Sequence, residues 1–325
     1  MRHPRRRILQ LAAGSVAFSA MPRFVRAETY PARPVHIIVG FPPGAASDIN
    51  ARLIGDWLSG RLGQQFIVDN RPGAGSNVGT EAAAHAPADG YTLLLVTPPN
   101  AINASLYDNL NFNFLRDIAP VGSIMRTPMV MEVNAALPIK TVAEFIAYAK
   151  ANPGKINMAS GGNGSPQHIA GELFSMMAGV KMIHVPYRGE GLALPDLIGG
   201  QVQVMFGVMP ASLGYIRAGK LRALAVTAAA RQAVLPDVPA VDEFLPGFEA
   251  GGWYGIAAPK ATPPDIVNRL NAEINSAIAD STTKDRLTDL GCKVFAGSPD
   301  DFGKFIADET EKWAKVIKLA GIRTD

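Results

Sequence analysis

Residues 35–49 read Val35-His36-Ile37-Ile38-Val39-Gly40-Phe41-Pro42-Pro43-Gly44-Ala45-Ala46-Ser47-Asp48-Ile49. Val35 to Val39 is a short continuous apolar run with β-branched residues, which predicts a strand buried on both faces. It opens straight into a Pro/Gly loop. Beyond the loop Ile49, Leu53, Ile54, Trp57, Leu58 and Leu62 recur at helical spacing, with Ala46 or Ser47 where a cap is wanted. Strand, loop and helix repeat at Phe66 to Val68 and the segment after Gly79, and Tyr91 to Val96 makes another buried strand. This alternation predicts an α/β fold with a parallel sheet.

A second series begins near Pro128. Met129 to Val133 reads as a strand, Thr141 to Ala151 as a helix capped by Thr141, and Ile156 to Ala159 as a strand entering a second Gly-rich loop, Ser160-Gly161-Gly162-Asn163-Gly164. Ser165 then caps a helix with Pro166 at its first position and Ile169, Ala170, Leu173, Phe174 and Met177 facing inward. Val202 to Phe206 and Leu221 to Thr227 complete that sheet. Trp253 to Ala257 is a strand, Pro263 to Ala279 a helix, and Phe302 to Ala320 an amphipathic closing helix. Two α/β units emerge, each with one Gly-rich loop opening a helix.

The composition is that of a globular chain: 325 residues, 48% apolar and 18% charged, which excludes a disordered or fibrous protein. At this length two domains are the starting expectation. The formal charge of +3 is misleading. Six arginines (Arg2, Arg5, Arg6, Arg7, Arg23 and Arg26) fall in the first 27 residues, which hold no acid; the remainder carries 25 basic against 28 acidic residues, a net −3. A general nucleic-acid or anionic-membrane role therefore lacks an electrostatic basis. The same 27 residues have a basic start, an apolar stretch from Ile8 to Met21 and small residues at Val25-Arg26-Ala27, which predicts an export signal cut before Glu28. Arg5-Arg6-Arg7 also fits a twin-arginine signal, and the interrupted apolar stretch is too short to span a bilayer. Cys292 is the single cysteine, so no intrachain disulfide forms.

Three catalytic or cofactor motifs are absent on inspection. Gly214 to Lys220 has phosphate-loop spacing, but Leu221 replaces the Ser/Thr that would hold magnesium and a strand follows. Gly73-Ala74-Gly75 with Gly79 is one residue too long for a dinucleotide fingerprint. His36, His85, His168 and His184 show no paired ligand spacing, so no metal or other cofactor is expected. The two Gly-rich loops remain. A helix N-terminus presents unpaired N–H groups and about half a positive charge, and glycines let the backbone approach an oxyanion closely. Four such donors on one carboxylate supply roughly 6–12 kcal/mol, against an association cost of about 4–15. A second polar group or an apolar body held by the other unit is therefore required, and Phe41, Tyr187 and Trp253 are candidates for an apolar wall.

Phe41-Pro-Pro-Gly-Ala-Ala-Ser-Asp48, Asn70-Arg-Pro-Gly-Ala-Gly75, Asp89-Gly-Tyr-Thr-Leu93, Ser160-Gly-Gly-Asn-Gly-Ser165 with His168, His184-Val-Pro-Tyr-Arg188, Gly219-Lys-Leu-Arg-Ala-Leu-Ala-Val-Thr227 and Leu235-Pro-Asp-Val-Pro239 follow in order along the chain. Together they resemble the tripartite tricarboxylate transporter solute-binding proteins, the Bug family. The resemblance implies a two-domain periplasmic-binding-protein fold of the type II flytrap kind, each domain a mostly parallel sheet flanked by helices. It implies a periplasmic, monomeric protein that closes on a small di-, tri- or aromatic carboxylate and serves integral-membrane transporter subunits. The expected ligand-binding residues are Phe41, Pro43, Gly44, Ala45, Ala46, Ser47, Asp48, Thr97, Ser160, Gly161, Gly162, Asn163, Gly164, Ser165, His168, Tyr187 and Phe206. Asp48 is read either as a first-turn residue favouring the helix dipole or as a group facing the ligand. The chain departs from the family pattern at Ala45, where a second Gly is usual, and at Gly207-Val208, where Asp-Asn is frequent. The second departure strips polar groups from the cleft and admits a less polar ligand. The expected domains are 28–128 plus 252–325, and 129–251, with the double crossover as a hinge. A ligand sensor for a membrane receptor shares every one of these features, whereas a hydrolase using Ser165 and His168 lacks a third orienting group.

Overall fold

The computed structural model describes residues 30–289 and 291–323; the expected export signal, 1–27, lies outside them. The elements used below, in chain order, are β1 (Val35–Val39), α1 (Ala46–Leu62), β2 (Phe66–Asn70), α2 (Asn77–Ala84), β3 (Thr92–Val96), α3 (Pro98–Leu106), β4 (Ile118–Asn134), α4 (Val142–Ala151) and β5 (Asn157–Ser160). They continue with α5 (Pro166–Ala178), β6 (Ile183–Pro186), α6 (Glu190–Ile198), β7 (Val204–Val208), α7 (Met209–Arg217), β8 (Leu221–Val226), β9 (Gly251–Pro259), α8 (Pro264–Ala279), α9 (Ser281–Asp289), β10 (Lys293–Val294) and α10 (Pro299–Ala320). Among the described residues no helix is long and apolar enough to cross a membrane.

The strands run in the order β2-β1-β3-β9-β4-β7-β5-β6, with β8 and β10 also paired to β4. The alternating units are parallel as expected: β1 lies parallel to β2 and β3, and β5 parallel to β6 and β7. The centre differs from the expectation of a parallel sheet. There β9 is antiparallel to β3 and β4, and β4 is antiparallel to β7 and β8. The physical reason is that β4 and β9 are crossing strands rather than members of a strand-helix-strand unit, which alone forces the parallel sense. β4 is 17 residues long. From Ile118 to Pro128 it pairs with β9, and from Met129 to Val133 it pairs with β7. Its partners therefore change between Pro128 and Met129, and β9 brings the chain back at Gly251 opposite Pro128.

Separate cores lie on either side of this change. Val35, Ile37, Val39, Ile54, Leu58, Leu93 and Leu95 pack with Ile256, Leu270, Ile274 and Ile278, whereas Met131, Val133, Phe145, Phe174, Val204 and Phe206 form another. The helix α10 serves both sides. Phe302 and Ile306 join the cluster of Ile38, Leu94 and Trp253, while Trp313, Val316 and Ile317 join the cluster of Phe145 and Phe174. In α1 the expected apolar stripe is only partly inward: Ile54 and Leu58 are fully buried, but Ile49 is 55% exposed. The small residues Ala51 and Gly55 take the tight side of the helix instead. α4 is capped by Thr141 and α5 by Ser165 as read from sequence, with Ile169, Ala170, Leu173 and Phe174 buried.

Candidate ligand site

A cavity of about 370 Å³ lies where the two halves meet. It is the point of convergence of five helix starts. Ala45, Ala46 and Ser47 come from the start of α1, Thr97, Pro98 and Pro99 from α3, Ser165, Pro166 and Gln167 from α5, Gly189 and Glu190 from α6, and Val208 from α7. Each start carries the positive end of a helix dipole, but α3 opens on Pro98 and Pro99, which have no N–H, and its Thr97 N–H is taken by Asn100 Oδ1, so free main-chain donors come from the other starts. α1 is the clearest case. Its N-cap is Ala45, which has no side chain able to cap, so neither Ala46 nor Ser47 is the cap that the sequence reading placed there. Among the described residues no Lys, Arg or His lines the cavity, and its single acid is Glu190.

The loop after β5 is shaped from behind. Ser160 Oγ accepts from Gly162 N–H at 3.1 Å and lies 2.6 Å from His184 Nε2. Gly164 N–H donates to His168 Nδ1 at 3.1 Å, and the two imidazoles stack at 3.6 Å and 5°. Burial, and next the neighbouring His184, pull His168 down to about 3; burial pulls His184 down to about 4. Both rings are thus neutral at physiological pH and act as a rigid backing. Gly162 and Gly164 have φ of +128° and +71°, a region that costs a side chain strain. A Cβ on Gly164 would also overlap Leu106 of α3, so the loop of one half sits directly on the other half.

Of the residues expected at the ligand, Phe41, Ala45, Ala46, Ser47, Thr97, Gly161, Asn163, Gly164 and Ser165 line the cavity. The others do not reach it. Pro43 and Gly44 are exposed on the outer side of their loop. Ser160 and Gly162 belong to the second loop but are not in the lining, His168 backs that loop through Gly164, and the Gly162 N–H is already committed to Ser160. Tyr187 gives its hydroxyl to Asp196 at 2.6 Å, and Phe206 is fully buried against Phe174 and Phe248. Asp48 is buried and turned back into the loop. It accepts from Gly44 N–H at 2.9 Å, from Arg52 and from Asn70, and these bonds, Arg52 first, hold it down at about 2. Asp48 therefore shapes the loop and does not face the cavity. Trp253 is also not a wall: it is buried and donates to Glu309. Strand alternation gives that role to its neighbour Tyr254.

Sequence reasoning also missed Gln167, Gly189, Glu190 and Val208 in the lining. Glu190 is the most consequential. Its Oε1 accepts from Val208 N–H at 2.7 Å and its Oε2 from Gln167 Nε2 at 3.3 Å, while burial raises it to about 7. The cleft is thus not stripped of polar groups at Val208, because Glu190 supplies one there. The available signal was Gly189-Glu190-Gly191 two residues after the strand Ile183–Pro186, a third strand-to-helix loop. For the hydrolase alternative, Ser165 Oγ accepts from the backbone of His168 and the His168 ring faces Gly164, so no nucleophile-base pair forms.

The family model described as "Tripartite tricarboxylate transporter family receptor" matches residues 50–322. Protein BugT of Bordetella pertussis is 38% identical over 320 residues, covering 98% of each chain. Among solved structures, R. palustris Rpa4515 with adipate has a TM-score of 0.82 at 36% identity, covering 90% of this chain and 99% of that one. MatC from Rhodopseudomonas palustris with bound malate has a TM-score of 0.78 at 32% identity, covering 89% and 100%. The fold is accordingly the two-domain α/β flytrap of solute-binding proteins, a receptor architecture rather than an enzyme's. With its motifs in order, its sheet split across β4 and a matching model over most of its length, the chain belongs to the tripartite tricarboxylate transporter family receptors.

Proposed function

We propose that this protein is an exported receptor that captures a small carboxylate between its two halves and presents it to integral-membrane transporter subunits. The observation that carries the reading is the convergence of five helix starts on one cavity that, among the described residues, has no basic side chain. Such a site neutralises an anion with main-chain N–H groups, of which Ala46, Ser47, Gly161 and Asn163 are the candidates. The binding of adipate and malate by two relatives supports the same class. The halves are 28–128 plus 252–325 and 129–251, hinged where β4 and β9 cross, and ligand shifts the open-closed balance through contacts made only when closed. The protein acts as a periplasmic monomer after removal of residues 1–27. Intact mass of the periplasmic protein checks the cut before Glu28. A thermal-shift panel of mono-, di- and tricarboxylates tests the site, since ligand at ~100 times its dissociation constant adds about 2.7 kcal/mol. A panel in which no carboxylate raises the melting temperature would end this reading.

A further inference from the structure

A second cavity, of about 480 Å³, adjoins the first. The two share Ala46, Glu190, Val208 and Tyr254, which form a waist between them. Beyond the waist the wall is largely apolar, with Ile49, Leu53, Met125, Pro210, Ala211 and Leu287. Ile49 explains itself here: a large apolar side chain 55% exposed on a helix has no role in the core, but it has one in the wall of a cavity.

The polar groups of this cavity are poor hosts for an anion. Arg52 is already paired with Asp48 at 2.9 Å, and Asn50 gives its amide to Ala46 O at 2.7 Å. The remaining charged groups, Asp56 and Glu190, are acids. A second carboxylate placed here would meet the Asp56 charge, and Glu190 once ionised, and among the described lining residues no cation that is not already paired. An alkyl chain or ring would bury apolar surface without such a cost, and there is room for it, because an apolar cavity of ~150 Å³ already accepts benzene.

We propose that this second cavity is the tail subsite of the ligand site. It takes the alkyl or aryl body of a monocarboxylate whose head sits among the five helix starts. The inference rests on the anion reading of the first cavity and narrows it to amphipathic carboxylates.

Calorimetry with butanoate, hexanoate, octanoate and adipate tests it on the wild-type protein. Affinity should climb about fourfold per added methylene from butanoate to octanoate, and hexanoate should bind more tightly than adipate, which brings a second charge of the same length. Ala211→Phe, at an exposed position in the first turn of α7, should plug the tail subsite and remove the climb. Ile49→Ser, in the α1 part of the wall, should flatten it without filling space. Affinity that is flat across the monocarboxylates, or an undiminished climb in both folded variants, overturns the tail subsite while leaving the head site standing. Failure of every carboxylate, adipate included, overturns the head site and the tail with it.

Discussion

Replacing Glu190 by Gln removes the one carboxyl that, among the described residues, faces the cavity, while keeping its shape and an acceptor for the Val208 N–H. Burial raises this group from 4.5 to about 7, against the opposing bonds from Val208 and Gln167. Such a displacement amounts to about 3 kcal/mol, which partial access to cavity water trims to about 2. The folded state holds this proton more tightly than the unfolded one. The penalty is therefore absent below the ordinary carboxyl range, develops as pH rises toward 7 and is complete above it. Glu132 and Tyr254, the titratable neighbours electrostatically coupled to Glu190, are common to both proteins and largely cancel in the comparison. Thermal melts should then give equal stabilities at pH 4 and a variant more stable by several degrees at pH 8. Binding adds a second readout. An ionised Glu190 repels an anionic ligand, so wild-type affinity for hexanoate should fall by up to about tenfold per pH unit above 7, and the Gln variant should not follow. Parallel melting curves and parallel affinities at both pH values would show that Glu190 is an ordinary solvated acid and refute the reasoning.

Ser160→Ala removes the hydroxyl that receives the Gly162 N–H and meets His184, so unfolding in urea should show a loss of about 1–2 kcal/mol, with weaker ligand binding. Asp48→Asn should lower the melting temperature at pH 7 and converge with wild type near pH 2, because a carboxyl held down at about 2 stabilises above the ordinary carboxylate range and loses that effect on acidification. Calorimetry should find mono- and dicarboxylates affected alike by that change, since Asp48 acts through the loop. Gly255→Ala places a Cβ against the Phe302 ring and the Gly122 carbonyl, and circular dichroism should report a loss of about 1–3 kcal/mol.

What was legible in the sequence was local. The apolar run at Val35, the helix cap at Ser165 and the two Gly-rich loops all rest on contacts within a few residues, and each stands in the structure where it was expected. The antiparallel centre was not legible, because the partner of a strand such as β4 is set by residues more than a hundred positions away. Trp253 and Tyr254 could not be told apart without knowing which face of β9 meets the cavity. Phe206 reads equally well as wall or core, and its two aromatic neighbours, Phe174 and Phe248, decide for core. Glu190 was overlooked because one acid between two glycines looks like a solvated turn, and only the packing of α6, α7 and Gln167 around it makes it a buried group.

The span of α10 across both cores bears on how the protein is made. Trp313, Val316 and Ile317 complete one core and Phe302 and Ile306 finish another, yet all five are translated after every strand and helix they pack against. Neither half can finish packing before α10 has been translated, so a nascent chain keeps apolar surface open until that helix emerges. The same dependence means that deleting α10 should disable both halves at once.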